Sequence, residues 1–304
     1  MLPYRCHFGA LLIAALVSVS ARADDPPPAK DDHQAEIEAA WKAVDKTATA
    51  GPAEIKLLDE ATMKLPAGES FVPSTEAAAL MRAYGNRTDE RLTGLVVSTR
   101  EGDSWMVVVK HVEEGYVRDG DAKEWEPDAM LDSLKEGTEE ANKDRAERGY
   151  PELEIVGWVQ PPKYDAIAHR LVWSLSARNK GGDPNEPNNI NYNTYALGRD
   201  GYFSLNLLTS TADIEHDKPA VQGLLGDLTY LPGKRYEDFN DTTDKVAEYG
   251  LAALVGAVAI KKLGLLAVAG VFLLKIWKLA AIAIIAGGAA VRRFFRRKTP
   301  DRTA

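Results

Sequence analysis

Apolar residues are concentrated near the two ends of the chain, and shorter apolar stretches alternate with polar residues in between. Near the start, Arg5 precedes an apolar core over residues 9–19, and the small residues Ala21 and Ala23 follow. A basic start, a short apolar core and small residues at the minus-three and minus-one positions are typical of a secretory signal peptide. We therefore predict a signal peptide over residues 1–23. The alternative, a permanent N-terminal anchor, needs about 20 apolar residues, and this core is shorter.

A second apolar region, residues 251–291, is divided into three blocks by pairs of lysines. Each block is shorter than the roughly 20 residues that cross a bilayer, so a crossing helix has to include one lysine pair. We predict a membrane anchor over residues 251–291, with the span at 263–291. A hairpin of two spans is the alternative, and the small residues of this region would also allow copies of the helix to associate.

The segment after the anchor, residues 292–304, carries the densest positive charge in the chain. Positive charge beside a membrane span favours the cytoplasmic side, so we predict a basic cytoplasmic tail. The preceding domain then faces the periplasm or the cell exterior, and the protein is expected in the inner membrane with one span. Four arginines are the predicted contacts with membrane lipid: Arg292, Arg293, Arg296 and Arg297.

Charge in the middle of the chain has the opposite sign. Residues 24–260 hold 25 of the 37 Lys and Arg and 44 of the 45 Asp and Glu, a net charge of −19. Such a domain repels phosphate backbones, so no nucleic-acid partner is expected. The only cysteine, Cys6, precedes the predicted cleavage site, which excludes disulfides and thiolate chemistry from the mature chain.

In the middle region, apolar residues at helical spacing predict helices, and apolar residues that alternate with polar ones predict strands paired in hairpins. A proline-rich extended spacer is predicted over residues 24–35, and helices are predicted at 36–44, 75–84, 127–148 and 219–225. Strand pairs are predicted at 53–58 with 61–65, 95–99 with 105–111, 153–159 with 169–177, and 191–197 with 202–208, before a last strand at 228–231. This order predicts an α+β domain over residues 36–232, a mostly antiparallel β-sheet with covering helices. A juxtamembrane segment follows at 233–250.

Motifs that carry chemistry are absent from the sequence. It contains no HExxH, GxSxG, SxxK, GxGxxG or P-loop pattern, so we predict no cofactor, no metal site and no catalytic residue. We therefore expect a non-enzymatic domain that binds a protein or polar ligand. A carboxylate-dependent envelope hydrolase is one alternative, because acidic residues are abundant. A structural, self-associating membrane protein is the other.

Two stretches are candidates for binding. Asn191, Tyr192 and Asn193 begin a polar strand, in which alternation places Asn191, Asn193 and Tyr195 on one face. Amide and phenol groups in a row can bind a polar ligand, although an exposed strand face has the same pattern. The second stretch surrounds residues 233–240, where four residues are predicted contacts with a ligand, an envelope protein or a second copy of the chain: Lys234, Arg235, Tyr236 and Asp238.

Several short segments have a familiar form: Leu65-Pro66-Ala67-Gly68, Gly149-Tyr150-Pro151, Gly157-Trp158, Asn191-Tyr192-Asn193 and Gly233-Lys234-Arg235-Tyr236-Glu237-Asp238-Phe239-Asn240. With them the mature chain resembles a bacterial family of membrane-anchored proteins, domain of unknown function 2167. The resemblance implies a signal peptide, one envelope domain and a C-terminal anchor, and it implies no activity. Residues 202–231 are also similar to the end of the Mog1/PsbP-like sandwich, which bears on the fold class only.

Overall fold

The computed structural model describes residues 30–86, 88–147, 151–183 and 185–256. The predicted signal peptide, the predicted span at 263–291 and the basic tail with its four arginines lie outside these residues. Within the described ranges, no helix combines the length and the apolar character that a bilayer crossing needs.

The described residues form α-helices and many short strands. The helices are α1 (Lys30–Thr47), α2 (Ser74–Ala83), α3 (Pro127–Glu147), α4 (Ile214–Asp227) and α5 (Ala252–Val255). The first strands are β1 (Thr49–Ala50), β2 (Ala53–Leu57), β3 (Ala61–Leu65), β4 (Glu69–Pro73), β5 (Leu92–Ser98), β6 (Met106–Val112) and β7 (Tyr116–Arg118). The later strands are β8 (Leu153–Asp165), β9 (Arg170–Asn179), β10 (Asn189–Leu197), β11 (Tyr202–Ser210), β12 (Leu228–Tyr230) and β13 (Val246–Gly250). Short 3₁₀ helices lie at Gly120–Glu124 and Tyr236–Asp238.

A large antiparallel sheet organises the domain. Its strand order is β1-β4-β5-β6-β11-β10-β9-β8, and every neighbouring pair is antiparallel. A small sheet of order β12-β3-β2 and the parallel pair β13-β7 accompany it. The predicted fold class, a mostly antiparallel sheet with covering helices, is confirmed.

Both faces of the large sheet are covered. Successive residues of each strand point to opposite sides, and apolar residues lie on both of them. On one face, Phe203 and Leu205 pack with α4 and the small sheet, in what we call the α4 cluster. On the other face, Leu208 packs under α1 and α2, the α1–α2 cluster. On that same face, Tyr202 and Trp173 pack under α3 and α5, the α3–α5 cluster. The arrangement is therefore layered, with helices on both sides of the sheet.

Helix α1 begins at Lys30 and takes in the last residues of the predicted spacer at 24–35, which corrects that boundary. Pro28 is the last proline before the helix, and residues 30–35 contain neither proline nor glycine. Once the proline run has ended, nothing in the local sequence opposes helical geometry. The last residues of the predicted spacer are therefore helical, and residues 24–29 lie outside the described ranges.

Strand β8 includes Pro161 and Pro162, which the sequence placed in a connection between two strands. A proline has no N–H to donate to a neighbouring strand, so it is tolerated at a sheet edge. β8 is an edge strand, and its pairing with β9 shifts register between Gln160 and Lys163. The turn between β8 and β9 is therefore shorter than predicted.

The segment after residue 232 belongs to the packed domain, which corrects the predicted boundary between domain, juxtamembrane segment and anchor. The Asp121 carboxylate accepts hydrogen bonds from the backbone N–H groups of Leu251 and Ala252, at 3.1 and 2.9 Å. Leu251 and Val255 are 0% and 1% exposed in the α3–α5 cluster. Leu251, Leu254 and Val255 are therefore core residues, because this face of the sheet would otherwise expose its apolar surface.

Candidate functional site

The predicted polar strand is β10, and its side chains point to both faces of the sheet. Asn191 and Asn193 share one face, as alternation predicts. Tyr192 points to the other face, where it is 1% exposed in the α4 cluster. Its hydroxyl donates to the Gln160 side chain at 3.3 Å and accepts from Gln222 at 3.1 Å. Tyr192 therefore has a structural place in the core, apart from the two asparagines.

A third asparagine, which the sequence did not indicate, joins the first two. Asn206 of β11 lies opposite Asn193 in the strand register, and its Nδ2 donates to Asn191 Oδ1 at 3.2 Å. Asn193 Nδ2 donates to the Asn191 carbonyl at 3.4 Å. We call Asn191, Asn193 and Asn206 the asparagine strip. The turn at residues 199–201 fixes the register of this hairpin. The position of that turn in the sequence was therefore enough to predict that Asn206 pairs with Asn193.

The asparagine strip lies between two apolar clusters on the same face of the sheet. Along β11, Ser204 and Asn206 separate Tyr202 of the α3–α5 cluster from Leu208 of the α1–α2 cluster. The Asn206 Oδ1 atom is buried and has no hydrogen-bond partner among the described residues. A buried amide oxygen without a partner costs stability, and a hydrogen bond from a ligand would remove that cost. An amide strip of this kind can donate to and accept from a polar ligand.

The second predicted stretch uses most of its polar groups inside the domain. Lys234 Nζ lies 2.5 Å from Glu60 Oε1. Asp238 accepts hydrogen bonds from the backbone N–H groups of Gly233 and Arg235, at 2.9 and 3.0 Å. Tyr236 is 6% exposed. Among these four predicted contact residues, Arg235 is the one whose side chain is exposed to solvent.

Tyr236 is part of a stack of four rings from separate parts of the chain. The ring centroids of Phe239 and Tyr116 are 3.8 Å apart, those of Tyr116 and Tyr236 are 4.4 Å apart, and those of Tyr236 and His169 are 4.1 Å apart. The Tyr236 hydroxyl donates to the Val117 carbonyl at 2.9 Å, and burial raises the pKa of this phenol. We call Phe239, Tyr116, Tyr236 and His169 the ring stack.

Two carboxylates flank the imidazole at the end of the ring stack. Asp119 Oδ2 lies 4.0 Å from His169 Nδ1, and Glu237 Oε1 lies 3.6 Å from His169 Nε2. Tyr164 donates to Asp119 at 2.9 Å and also contacts His169 Nδ1 at 3.2 Å. Burial, and then the hydrogen bond to Asp119, raise the pKa of the Tyr164 phenol, which stays neutral at physiological pH. The carboxylates are 33% and 67% exposed, so this end of the stack is accessible.

A buried carboxyl group lies elsewhere, at the start of β4. Glu69 is 3% exposed, and burial raises its pKa from 4.5 to about 7, with Arg100 opposing and Asp103 reinforcing the shift. Burial also acts to raise the pKa of Asp103, but hydrogen bonds from Ser98 at 2.6 Å and His216 at 3.0 Å bring it below its ordinary value. Two carboxyl groups with pKa values moved apart resemble a general acid and base.

No candidate metal site is present in the part of the chain that the structure describes. No group of three or more His, Cys, Asp or Glu side chains there has a geometry that could hold a metal ion.

Comparison with known proteins gives a family and two distant structural likenesses. Among solved structures, cyanobacterial PsbP (CyanoP) from Synechocystis sp. PCC 6803 is 12% identical, with a TM-score of 0.36, over 61% of this chain and 92% of that chain. The Ran-binding protein Mog1p from Saccharomyces cerevisiae is 14% identical, with a TM-score of 0.30, over 60% of this chain and 96% of that chain. The fold class rests on the strand order described above.

No curated protein matches the chain at a significant level. The family model described as "Protein of unknown function (DUF2167)" matches residues 49–285, which is more than half of the chain. The protein therefore belongs to the DUF2167 family.

Proposed function

We propose that this protein is a membrane-anchored bacterial envelope protein whose extracytoplasmic domain binds a polar ligand without catalysing a reaction. The order of signal peptide, acidic domain, apolar anchor and basic tail in the sequence supports the location. The asparagine strip supports the binding, and the observation that carries it is the buried Asn206 Oδ1, which has no hydrogen-bond partner within the described ranges. The ligand that suits these amides has hydroxyl or amide groups that both donate and accept hydrogen bonds.

Binding residues differ from structural residues in what their loss does to stability. A polar group kept for a ligand leaves the unliganded fold less stable than an apolar group of the same size. Asn206→Leu removes the unpartnered oxygen together with the hydrogen bond to the half-buried Asn191, so it should change the free energy of unfolding by less than about 1 kcal/mol. Thr194 offers a matched control in the facing strand, because it is fully buried and its hydroxyl donates to the Leu205 carbonyl at 2.9 Å. Thr194→Val should cost about 1 kcal/mol.

The experiment measures thermal unfolding of the full chain in detergent, with and without a soluble extract of the bacterial envelope. A ligand that binds only the folded state raises the unfolding temperature. The wild-type protein and Thr194→Val should both gain stability from the extract, and Asn206→Leu should not. An Asn206→Leu variant destabilised by more than about 1 kcal/mol, or one that responds to the extract like the wild type, would show that the strip is structural.

A carboxylate-dependent hydrolase is the second candidate, and the pKa of about 7 for Glu69 is the observation that favours it. Its burial argues against it. At 3% exposure, the Glu69 carboxyl offers a polymeric substrate almost no surface, whereas a general acid has to lie within hydrogen-bond reach of the bond it protonates. We therefore prefer the binding function.

A further inference from the structure

We propose that the ring stack and its flanking carboxylates form a second binding surface, which docks a basic segment of a protein partner and holds an arginine side chain. This surface is separate from the asparagine strip. It uses residues 116–119, 164–169 and 236–239, which come together only in the folded domain.

The rings present a fixed aromatic surface. Tyr236 is buried and hydrogen-bonded at the centre of the stack, while Tyr116, His169 and Phe239 keep partial exposure. Ring planes in the stack differ by only 15 to 29°, so their faces are nearly parallel. A guanidinium group is planar and weakly hydrated, and it lies readily against aromatic rings. The stack therefore suits arginine better than lysine, whose ammonium group is compact and strongly hydrated.

The charges beside the stack favour a cation. Asp119 and Glu237 lie on the two sides of the His169 ring, so two carboxylates flank this end of the stack, while Arg118 acts on Tyr116 farther along it. The guanidinium can pair with a carboxylate through two parallel N–H groups while its face contacts a ring. The net charge of −19 over residues 24–260 adds a long-range attraction for basic partners.

The partial exposure of this surface indicates a protein partner rather than a small cation. Ion pairs and cation–π contacts that remain open to water are each weak, so a single small cation is held loosely. A basic segment makes several such contacts at once, and the contacts of one chain reinforce one another. The structure therefore fits a segment with an arginine at its centre and further basic residues around it.

The test uses the full chain in detergent and two fluorescent peptides, one rich in arginine and one in which every arginine is lysine. Fluorescence anisotropy measures the dissociation constant of each peptide. We expect the arginine peptide to bind several-fold more tightly than the lysine peptide. The double variant Asp119→Asn with Glu237→Gln should raise the dissociation constant of the arginine peptide about tenfold.

A charge-matched control separates this surface from the general acidity of the domain. Asp132 and Glu136 lie on the exposed side of α3, so Asp132→Asn with Glu136→Gln removes the same charge elsewhere. This control should change the dissociation constant less than about twofold. Equal losses in both double variants would mean non-specific attraction and would overturn the proposal. Equal affinity for the two peptides would also overturn it, since the rings would then contribute nothing.

Two further measurements complete the test. His169→Asn removes the ring between the two carboxylates and keeps a residue that tolerates the left-handed backbone at this position, φ 51°, so it should weaken binding of the arginine peptide and leave binding of the lysine peptide unaffected. Free arginine added as a competitor should displace the peptide only at far higher concentration than the peptide itself. Displacement at equal concentration would identify a small-cation site and refute the protein partner. Asn206→Leu should leave peptide binding unchanged, so failure of one proposal is distinguishable from failure of the other.

Discussion

The buried carboxyl group of Glu69 predicts how the stability of this domain depends on pH. Its pKa rises from 4.5 to about 7 on folding because burial disfavours the charged form. Between these two values the folded state binds more protons than the unfolded state, so stability falls as the pH rises through this window. Above about pH 7 both states are ionised at this position, and the loss is complete. A shift of this size corresponds to a loss of about 3 kcal/mol, as an upper limit.

Glu69→Gln tests this reasoning, because glutamine has the shape of the protonated glutamate and does not ionise. At pH 4.5 the variant should match the wild-type protein. At pH 8 it should be more stable by up to about 3 kcal/mol. Chemical denaturation of the full chain in detergent, followed by tryptophan fluorescence, measures both free energies of unfolding. Glu54→Gln, at an exposed position of β2, is the matched control and should leave the pH dependence unchanged.

Other groups with shifted pKa values also contribute to the pH dependence of stability, so the decisive quantity is the difference between the variant and the wild-type protein. The pKa of the buried Asp217 is raised by burial, and that of His216 is raised by Asp103. Both remain in the Glu69→Gln variant and cancel in the comparison. If the variant loses as much stability as the wild-type protein between pH 4.5 and 8, or is the less stable of the two at pH 8, the carboxyl group is not buried as a neutral acid.

Two further predictions concern the connections of the domain. Asp121→Ala should remove the hydrogen bonds to the first N–H groups of α5, cost about 1 kcal/mol and speed amide hydrogen exchange at residues 251 and 252, whereas Asp121→Asn should keep part of the protection. Gly201 has φ +153°, and an added Cβ would lie 1.9 Å from the Val112 carbonyl oxygen, so Gly201→Ala should cost about 2–3 kcal/mol in a denaturation experiment. Gly102→Ala, at φ +91° with no described atom within 4 Å of the new Cβ, should cost only about 1 kcal/mol; equal costs would contradict the role of the clash.

Local pattern was sufficient where neighbouring residues decide the structure. The hairpin of β10 and β11 follows from two alternating stretches around Arg199-Asp200-Gly201, and α3 follows from Pro127 at its start and a narrow apolar stripe. The shared face of Asn191 and Asn193 also follows from alternation. The same rule separates Tyr192 from them, so grouping all three into one site conflicted with the period of a strand.

Local pattern failed where the position of an element within the sheet matters. Pro161 and Pro162 indicate a turn in most contexts, and they are accommodated here because β8 is an edge strand. The apolar residues 251–255 have the composition of a membrane segment, but Leu251, Leu254 and Val255 are buried in the same cluster as Trp173. The Trp173 Nε1 donates to the Leu254 carbonyl at 3.2 Å. Composition alone does not distinguish a core helix from the beginning of an anchor.

The sequence by itself determined the α+β class, the antiparallel hairpins, the acidity of the domain and the family, because each depends on local pattern or on composition. Only the tertiary structure decided that Glu69 is buried, that Asn206 completes the asparagine strip, and that Ala247, Leu251, Leu254 and Val255 belong to the core. It also brought His169 and Tyr236 into one stack of rings. These features join residues that are distant in the chain, and such contacts are fixed by the strand order and by packing rather than by spacing along the sequence.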